Sequence, residues 1–89
     1  MKAIVTVTGR DKTGIIAGVS AALSAYGVNI LDISQTVLQD YFAMIMLVDI
    51  SKMSIEFTEL SDMLSKAGED LGVDIRFQRE EIFASMHRI

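Results

Sequence analysis

Hydrophobic and polar positions alternate with a period of two at the start of the chain. Ala3, Val5 and Val7 fall on one side, and Lys2, Thr6 and Thr8 on the other with Ile4 among them. β-Branched residues dominate, so the pattern predicts a strand over 2–8. Gly9 to Thr13 is a polar break. Ile15, Ile16, Val19, Ala22, Leu23 and Tyr26 then recur at helical spacing and predict an amphipathic helix. Asp11 or Thr13 can cap its start, because a side-chain oxygen there reaches a free first-turn N–H. Gly27 suits the residue just past its end. The face opposite the apolar stripe carries Ala17, Ser20, Ala21 and Ser24, which are small rather than charged.

Val28 to Leu38 reads as a second strand with Asn29 at its start. Gln39-Asp40 is a two-residue turn, and Tyr41 to Ile50 is a third strand, so the pair forms a hairpin. Ser54 is a candidate cap for a second helix, whose stripe is Phe57, Leu60, Met63, Leu64, Ala67 and Leu71; Gly68 inside the stripe leaves open whether the helix stops there or runs to Leu71. Val73, Ile75 and Phe77 alternate with Asp74, Arg76 and Gln78 in a fourth strand. Ile82, Phe83, Met86 and Ile89 have the spacing of a short amphipathic helix.

The order β-α-β-β-α-β predicts an α+β ferredoxin-like fold, a four-stranded antiparallel sheet with both helices on one face. The domain is expected over 1–80, with 81–89 as a C-terminal amphipathic extension. Two helices cover one face of such a sheet, yet the third strand is apolar on both: Phe42, Met44, Met46 and Val48 on one side, Ala43, Ile45 and Leu47 on the other. A sheet with one wet face should alternate more cleanly. The expected cover is the C-terminal segment or a second copy, and a homo-oligomer, first of all a dimer, is the reading that follows.

Composition narrows the function. The 89 residues include no cysteine, which excludes a disulfide scaffold, a thiol nucleophile and thiolate metal ligation. His87 is the single histidine, so no multi-histidine metal site or Ser-His-Asp arrangement can be nominated, and no metal or cofactor is expected. Twelve acidic against eight basic residues give a net charge of −4, the wrong balance for a direct grip on nucleic acid. The apolar run from Tyr41 to Val48 is too short for a bilayer, which needs about 20 residues. The cytoplasm is the expected location.

Gly9-Arg10-Asp11-Lys12-Thr13-Gly14 lies between a strand and a helix and superficially resembles a phosphate loop. Ile15-Ile16 stand where such a loop needs Lys and Ser/Thr, and the dinucleotide spacing is absent too. What remains is a helix start with free N–H groups at the positive end of the helix dipole, where a carboxylate is well placed. The plainer reading is a tight turn with Asp11 as a cap. For Asn29, the plainer reading is a turn-side amide bonded to its own backbone. The carboxylates Glu56, Glu59, Asp62, Glu69 and Asp70 look like a solvated helix face.

Taken together, Val5-Thr6-Val7-Thr8-Gly9-Arg10-Asp11-Lys12-Thr13-Gly14-Ile15-Ile16, Leu23 and Tyr26-Gly27-Val28-Asn29-Ile30 resemble the ACT domain, a βαββαβ amino-acid-sensing module. The likeness covers residues 4–30 closely and extends to about residue 50 with the Phe42 to Asp49 strand. It is strongest toward stand-alone ACT proteins and the glycine-cleavage-system repressor type. The ending Glu81 to Ile89 is similar to that of a small bacterial single-ACT family.

The resemblance implies a ligand site between ACT domains, where the loop before the first helix of one copy meets the second-strand start of another. The residues it marks are Asp11, Lys12, Thr13, Gly14, Ile15, Asn29 and Ile30. Asp11 would hold an amino group, and the Thr13–Ile15 amides a carboxylate. Asn29 matches serine-sensing members, whereas Gly9 stands at their histidine, Asp11 at their amide and Thr13 at the usual proline. The function implied is a non-enzymatic regulatory domain that binds a small molecule, an amino acid, and modulates a separate protein partner. The alternatives are a ligand-free interaction or dimerisation module and an acylphosphatase-like enzyme, which would need an arginine cradle and a water-orienting amide in a motif that Arg10 and Asn29 do not form.

Overall fold

Six elements follow one another in the computed structural model, which describes residues 1–10 and 13–81. They are β1 (Lys2–Arg10), α1 (Ile15–Ala25), β2 (Asn29–Leu38), β3 (Tyr41–Asp49), α2 (Phe57–Leu71) and β4 (Val73–Arg79). The strands form one antiparallel sheet in the order β2-β3-β1-β4. This is the ferredoxin-like βαββαβ arrangement that the hydrophobic pattern predicts.

The inward rows of the sheet are Ala3, Val5 and Val7 of β1, Phe42, Met44, Met46 and Val48 of β3, and Ile75 and Phe77 of β4, all buried. α1 lays Ile15, Val19 and Leu23 onto them, one residue per turn, and α2 adds Leu60 and Leu64. The molecule measures 35 × 34 × 19 Å. Its short dimension holds one layer of helix and one of sheet, each about 10 Å thick. The outer face of the sheet therefore has no layer over it among the described residues.

Several boundaries differ from those expected. β1 runs on to Arg10, so Gly9 is a strand residue rather than part of the break; it faces Val73 of β4. The N-cap of α1 is Gly14, with a left-handed φ of 94°, not Thr13; Asp11, the other expected cap, lies outside the described residues. Nor does Ser54 cap α2, whose N-cap is Glu56 without a side-chain hydrogen bond. The helix continues through Gly68 to Leu71 because Gly68 is buried against β4, where a Cβ would stand 2.7 Å from the Val73 carbonyl oxygen. The expected helix over Ile82 to Ile89 lies outside the described residues.

The apolar residues of β3's second side are indeed open to solvent: Tyr41, Ala43 and Ile45 are exposed and Leu47 half-buried. The larger exposure is on β2, which the pattern did not single out. Residues 31–38 are all exposed, with Leu31, Ile33, Val37 and Leu38 the large apolar ones. A bulge between Ile30 and Asp32 shifts the register, so Ile33 and Val37 share the helix-side face of the sheet with Met46 and Phe42 but sit beyond the cover of the helices.

Candidate functional site

The residues marked by the sequence separate into two groups at opposite ends of α1. At its start, Thr13 and Gly14 are exposed, and nothing among the described residues lies within 4 Å of where a Cβ on Gly14 would be. The first turn carries no acidic side chain, and the N-cap Gly14 makes no side-chain cap hydrogen bond. The first helical bond runs from the Gly18 N–H to the Gly14 carbonyl at 2.9 Å. Ile15, by contrast, is buried under the core and offers its backbone alone. Asp11 and Lys12 lie outside the described residues.

At the other end, Tyr26 and Gly27 close α1, and Asn29 opens β2 with its side chain exposed. Ile30 is half-buried and packs on the core, so it fixes the strand rather than presenting chemistry. α1 has eleven residues, so the two groups stand about 16 Å apart in one chain.

Asn29 is not alone. It lies across from Asp49 in the β2–β3 ladder, and Asp49 lies across from Lys2 in the β1–β3 ladder. A cavity of about 220 Å³ is lined by Gly27, Asn29, Asp49, Ser51 and Lys52. Ser51 donates to Asp49 Oδ1 from both its N–H (2.9 Å) and its hydroxyl (2.5 Å). The Met1 ammonium donates to the Ser51 hydroxyl oxygen at 2.9 Å and stands 3.8 Å from the same carboxylate oxygen. The Ser51 hydroxyl, then its N–H, hold the Asp49 carboxyl below the ordinary carboxylate pKa, outweighing desolvation. Asp49, Ser51 and Lys52 carry no motif. Their place beside Asn29 follows from the ladder register, some twenty residues downstream, and not from spacing along the chain.

A second cavity, about 330 Å³ and almost wholly apolar, lies at the hairpin end of the sheet among Thr8, Gly9, Thr36, Leu38, Tyr41, Phe42 and Ala43. Gly9 has its own constraint: a Cβ there would stand 2.9 Å from Val73 Cγ1 and 3.2 Å from Val73 Cα. A histidine at this position would need β4 to move. Among the described residues, no three His, Cys, Asp or Glu side chains cluster as a metal ion would require. No helix among them is long and apolar enough to cross a membrane.

The ACT-domain family model matches residues 2–78. The chain belongs to the ACT-domain family. It is 54% identical to a UPF0237 protein of Clostridium acetobutylicum over 89 residues, covering 100% of both chains. Among solved structures it is similar to an ACT domain protein from Streptococcus pneumoniae, with a TM-score of 0.80 and 44% identity over 100% of this chain and 97% of that one. The regulatory subunit of aspartate kinase from Thermus thermophilus has the same fold at a TM-score of 0.66, with 23% identity over 86% of this chain and 50% of that one.

Proposed function

We propose that this ACT domain is a non-enzymatic regulatory module that binds an amino acid between two copies of itself and modulates a separate partner protein. The observation that carries the reading is the character of the surface between the two groups of site residues. α1 contains no charged residue at all, in contrast to α2, whose outward positions include Glu59, Asp62, Lys66, Glu69 and Asp70. Beside α1 lies the exposed apolar edge of β2, with Ile33 and Val37. An uncharged helix flanked by apolar strand is poor solvent surface and good interface.

A two-fold axis beside α1 packs the helix against its own copy in opposite direction. That places the Gly14 end of one copy next to the Gly27–Asn29 end of the other. Two half-sites about 16 Å apart in one chain then become two complete sites per dimer. Ligand binding at such a seam favours the paired assembly and by linkage changes what the assembly can do to a partner. The similarity to a subunit described as regulatory, that of aspartate kinase, supports the same reading.

A thermal-shift panel of the twenty amino acids, with sedimentation on the same sample, tests it. At a concentration 100-fold above Kd the ligand adds about 2.7 kcal/mol. The shift should shrink in Asn29→Ala and in Asp11→Ala. A monomer that answers to none of the twenty would overturn the reading in favour of a ligand-free interaction module, which the crowding of Gly9 by Val73 favours. The acylphosphatase-like alternative has no support in the geometry. Arg10 lies across from Tyr41 and Asn29 from Asp49, eight positions apart along β3, or about 27 Å. One phosphate cannot touch both within a chain.

A further inference from the structure

The polar cavity beside Asn29 has charges of opposite sign among its lining residues, Asp49 and Lys52. The contacts that Asp49 makes all fall on Oδ1, and its Oδ2 has no partner among the described residues. Lys52 is exposed and its ammonium makes no ion pair among them. Both residues line the same cavity of about 220 Å³, together with Asn29.

The pair is also held in place from behind. Gly27 packs against the backbone of Lys52, and the Ser54 N–H donates to the Tyr26 carbonyl at 2.9 Å, so the end of α1 and the turn after β3 move as one piece. Ser51 and the chain's amino terminus fix Oδ1 of Asp49, which leaves the carboxylate in one orientation with its second oxygen free. A carboxylate, an ammonium and an amide around a small cavity complement a ligand that carries one charge of each sign on adjacent atoms, and charge-assisted bonds are the strong ones.

We propose that Asp49 and Lys52 read the zwitterionic head of an α-amino acid, Asp49 taking its ammonium and Lys52 its carboxylate, with Asn29 bonding across the pair. The assignment rests on the amino-acid reading above and deepens it. The charges of the ligand are held on the strand side of the site, and the loop of the other copy is left to fit the ligand's side chain. Selectivity among amino acids then belongs to the loop, and selectivity for amino acids as a class belongs to Asp49 and Lys52.

Calorimetric titration of the full chain tests this with the twenty amino acids and, for each that binds, its methyl ester and its 2-hydroxy acid; L-alanine, L-alanine methyl ester and L-lactate form one such trio. The pH is kept below the α-amino value of about 7.7 so that the ester stays cationic. The ester and the hydroxy acid are each expected to bind at least tenfold more weakly than the parent. Lys52→Met and Asp49→Asn should lose tenfold or more for the parent, with Lys52→Arg restoring most of it. Because Asp49 also anchors the amino terminus, Lys52→Met is the decisive variant: Lys52 lies in an exposed turn and makes no side-chain bond among the described residues. Equal affinity for all three members of a trio, or unchanged binding by Lys52→Met and Asp49→Asn, overturns the assignment while leaving the amino-acid reading intact. A wild-type chain that binds no amino acid fails at the earlier reading instead.

Discussion

Gly27 sits so close to Lys52 that a Cβ at position 27 would stand 2.7 Å from the Lys52 carbonyl oxygen. The residue also has a φ of 76°, in the left-handed region that ordinary side chains avoid. Gly14 shares the conformation, with φ 94°, but no described residue stands within 4 Å of where its Cβ would be. The two positions therefore separate backbone strain from steric contact. Gly14→Ala is expected to cost about 1 kcal/mol, the left-handed penalty alone. Gly27→Ala should cost about 2 to 3 kcal/mol, since the turn after β3 must move as well. Urea unfolding of the two variants checks the difference.

Asp49 makes stability depend on pH in a defined sense. Its folded-state pKa is lowered from 3.8, first by the Ser51 hydroxyl and then by the Ser51 N–H. A carboxyl with a lowered folded pKa binds its proton less readily when folded than when unfolded. Its contribution is therefore present above pH 3.8 and disappears as pH falls through the lower folded value. Ser51→Ala removes the largest cause. The gap in urea midpoint between wild type and Ser51→Ala should be steady near neutrality and should close in acid below that value.

Arg79 places its guanidinium carbon 4.5 Å from the centroid of the Phe57 ring, which itself stacks on Phe77 at 4.3 Å and 16°. The stack ties the start of α2 to β4, and the cation covers its outer side. Arg79→Gln is expected to cost about 0.5 to 1 kcal/mol, and the cost should shrink in a Phe57→Leu background to what the Arg79 contact with the Met1 sulfur supplies. By comparison, the 3.1 Å pair of Arg76 and Asp74 is solvent-exposed on both sides, and Arg76→Gln should change stability by about 0.5 kcal/mol at most. A double-mutant cycle in urea measures the first, and a single variant the second.

Ile33 and Val37 on β2 separate folding from assembly. Both are exposed, at 41% and 52%, so Ile33→Ser with Val37→Ser should leave the unfolding midpoint of the isolated chain within about 1 kcal/mol of wild type. If two copies pair along α1 and β2, the same double variant should sediment as a monomer at concentrations where wild type is a dimer. Unchanged sedimentation would move the interface elsewhere, the open outer face of the sheet being the next place to look.

The sequence made the six elements legible because each has a clean period: two for Ala3, Val5 and Val7, about 3.6 for Ile15, Val19 and Leu23. The helix starts were less legible. Asp11, Thr13 and Ser54 are good capping residues in isolation, yet Gly14 and Glu56 occupy the N-cap positions, because loop length and packing of the first buried turn decide where a helix begins. Gly68 left the end of α2 open, and the structure buries it against β4 with no room for a Cβ. For the site, Asn29 was marked by the resemblance to the ACT domain. Asp49, Ser51 and Lys52 were not, since only the strand register, including the bulge at Leu31, brings them beside it. The exposed apolar edge of β2 was hidden by composition: Leu31, Ile33 and Val37 read as ordinary strand residues until the helices are seen to stop short of them.

Ala3 of β1 and Arg79 of β4 are ladder partners, and the Arg79 guanidinium reaches the Met1 sulfur at 3.4 Å. The strand that enters the fold and the strand that leaves it therefore meet at one corner of the sheet, about 5 Å apart. A host protein could accept this unit as a single excursion from one of its surface loops, with both junctions emerging side by side and the host's own backbone scarcely parted. The half-site at Asn29, Asp49 and Lys52 lies at that same end of the sheet, beside the corner where β1 begins and β4 ends.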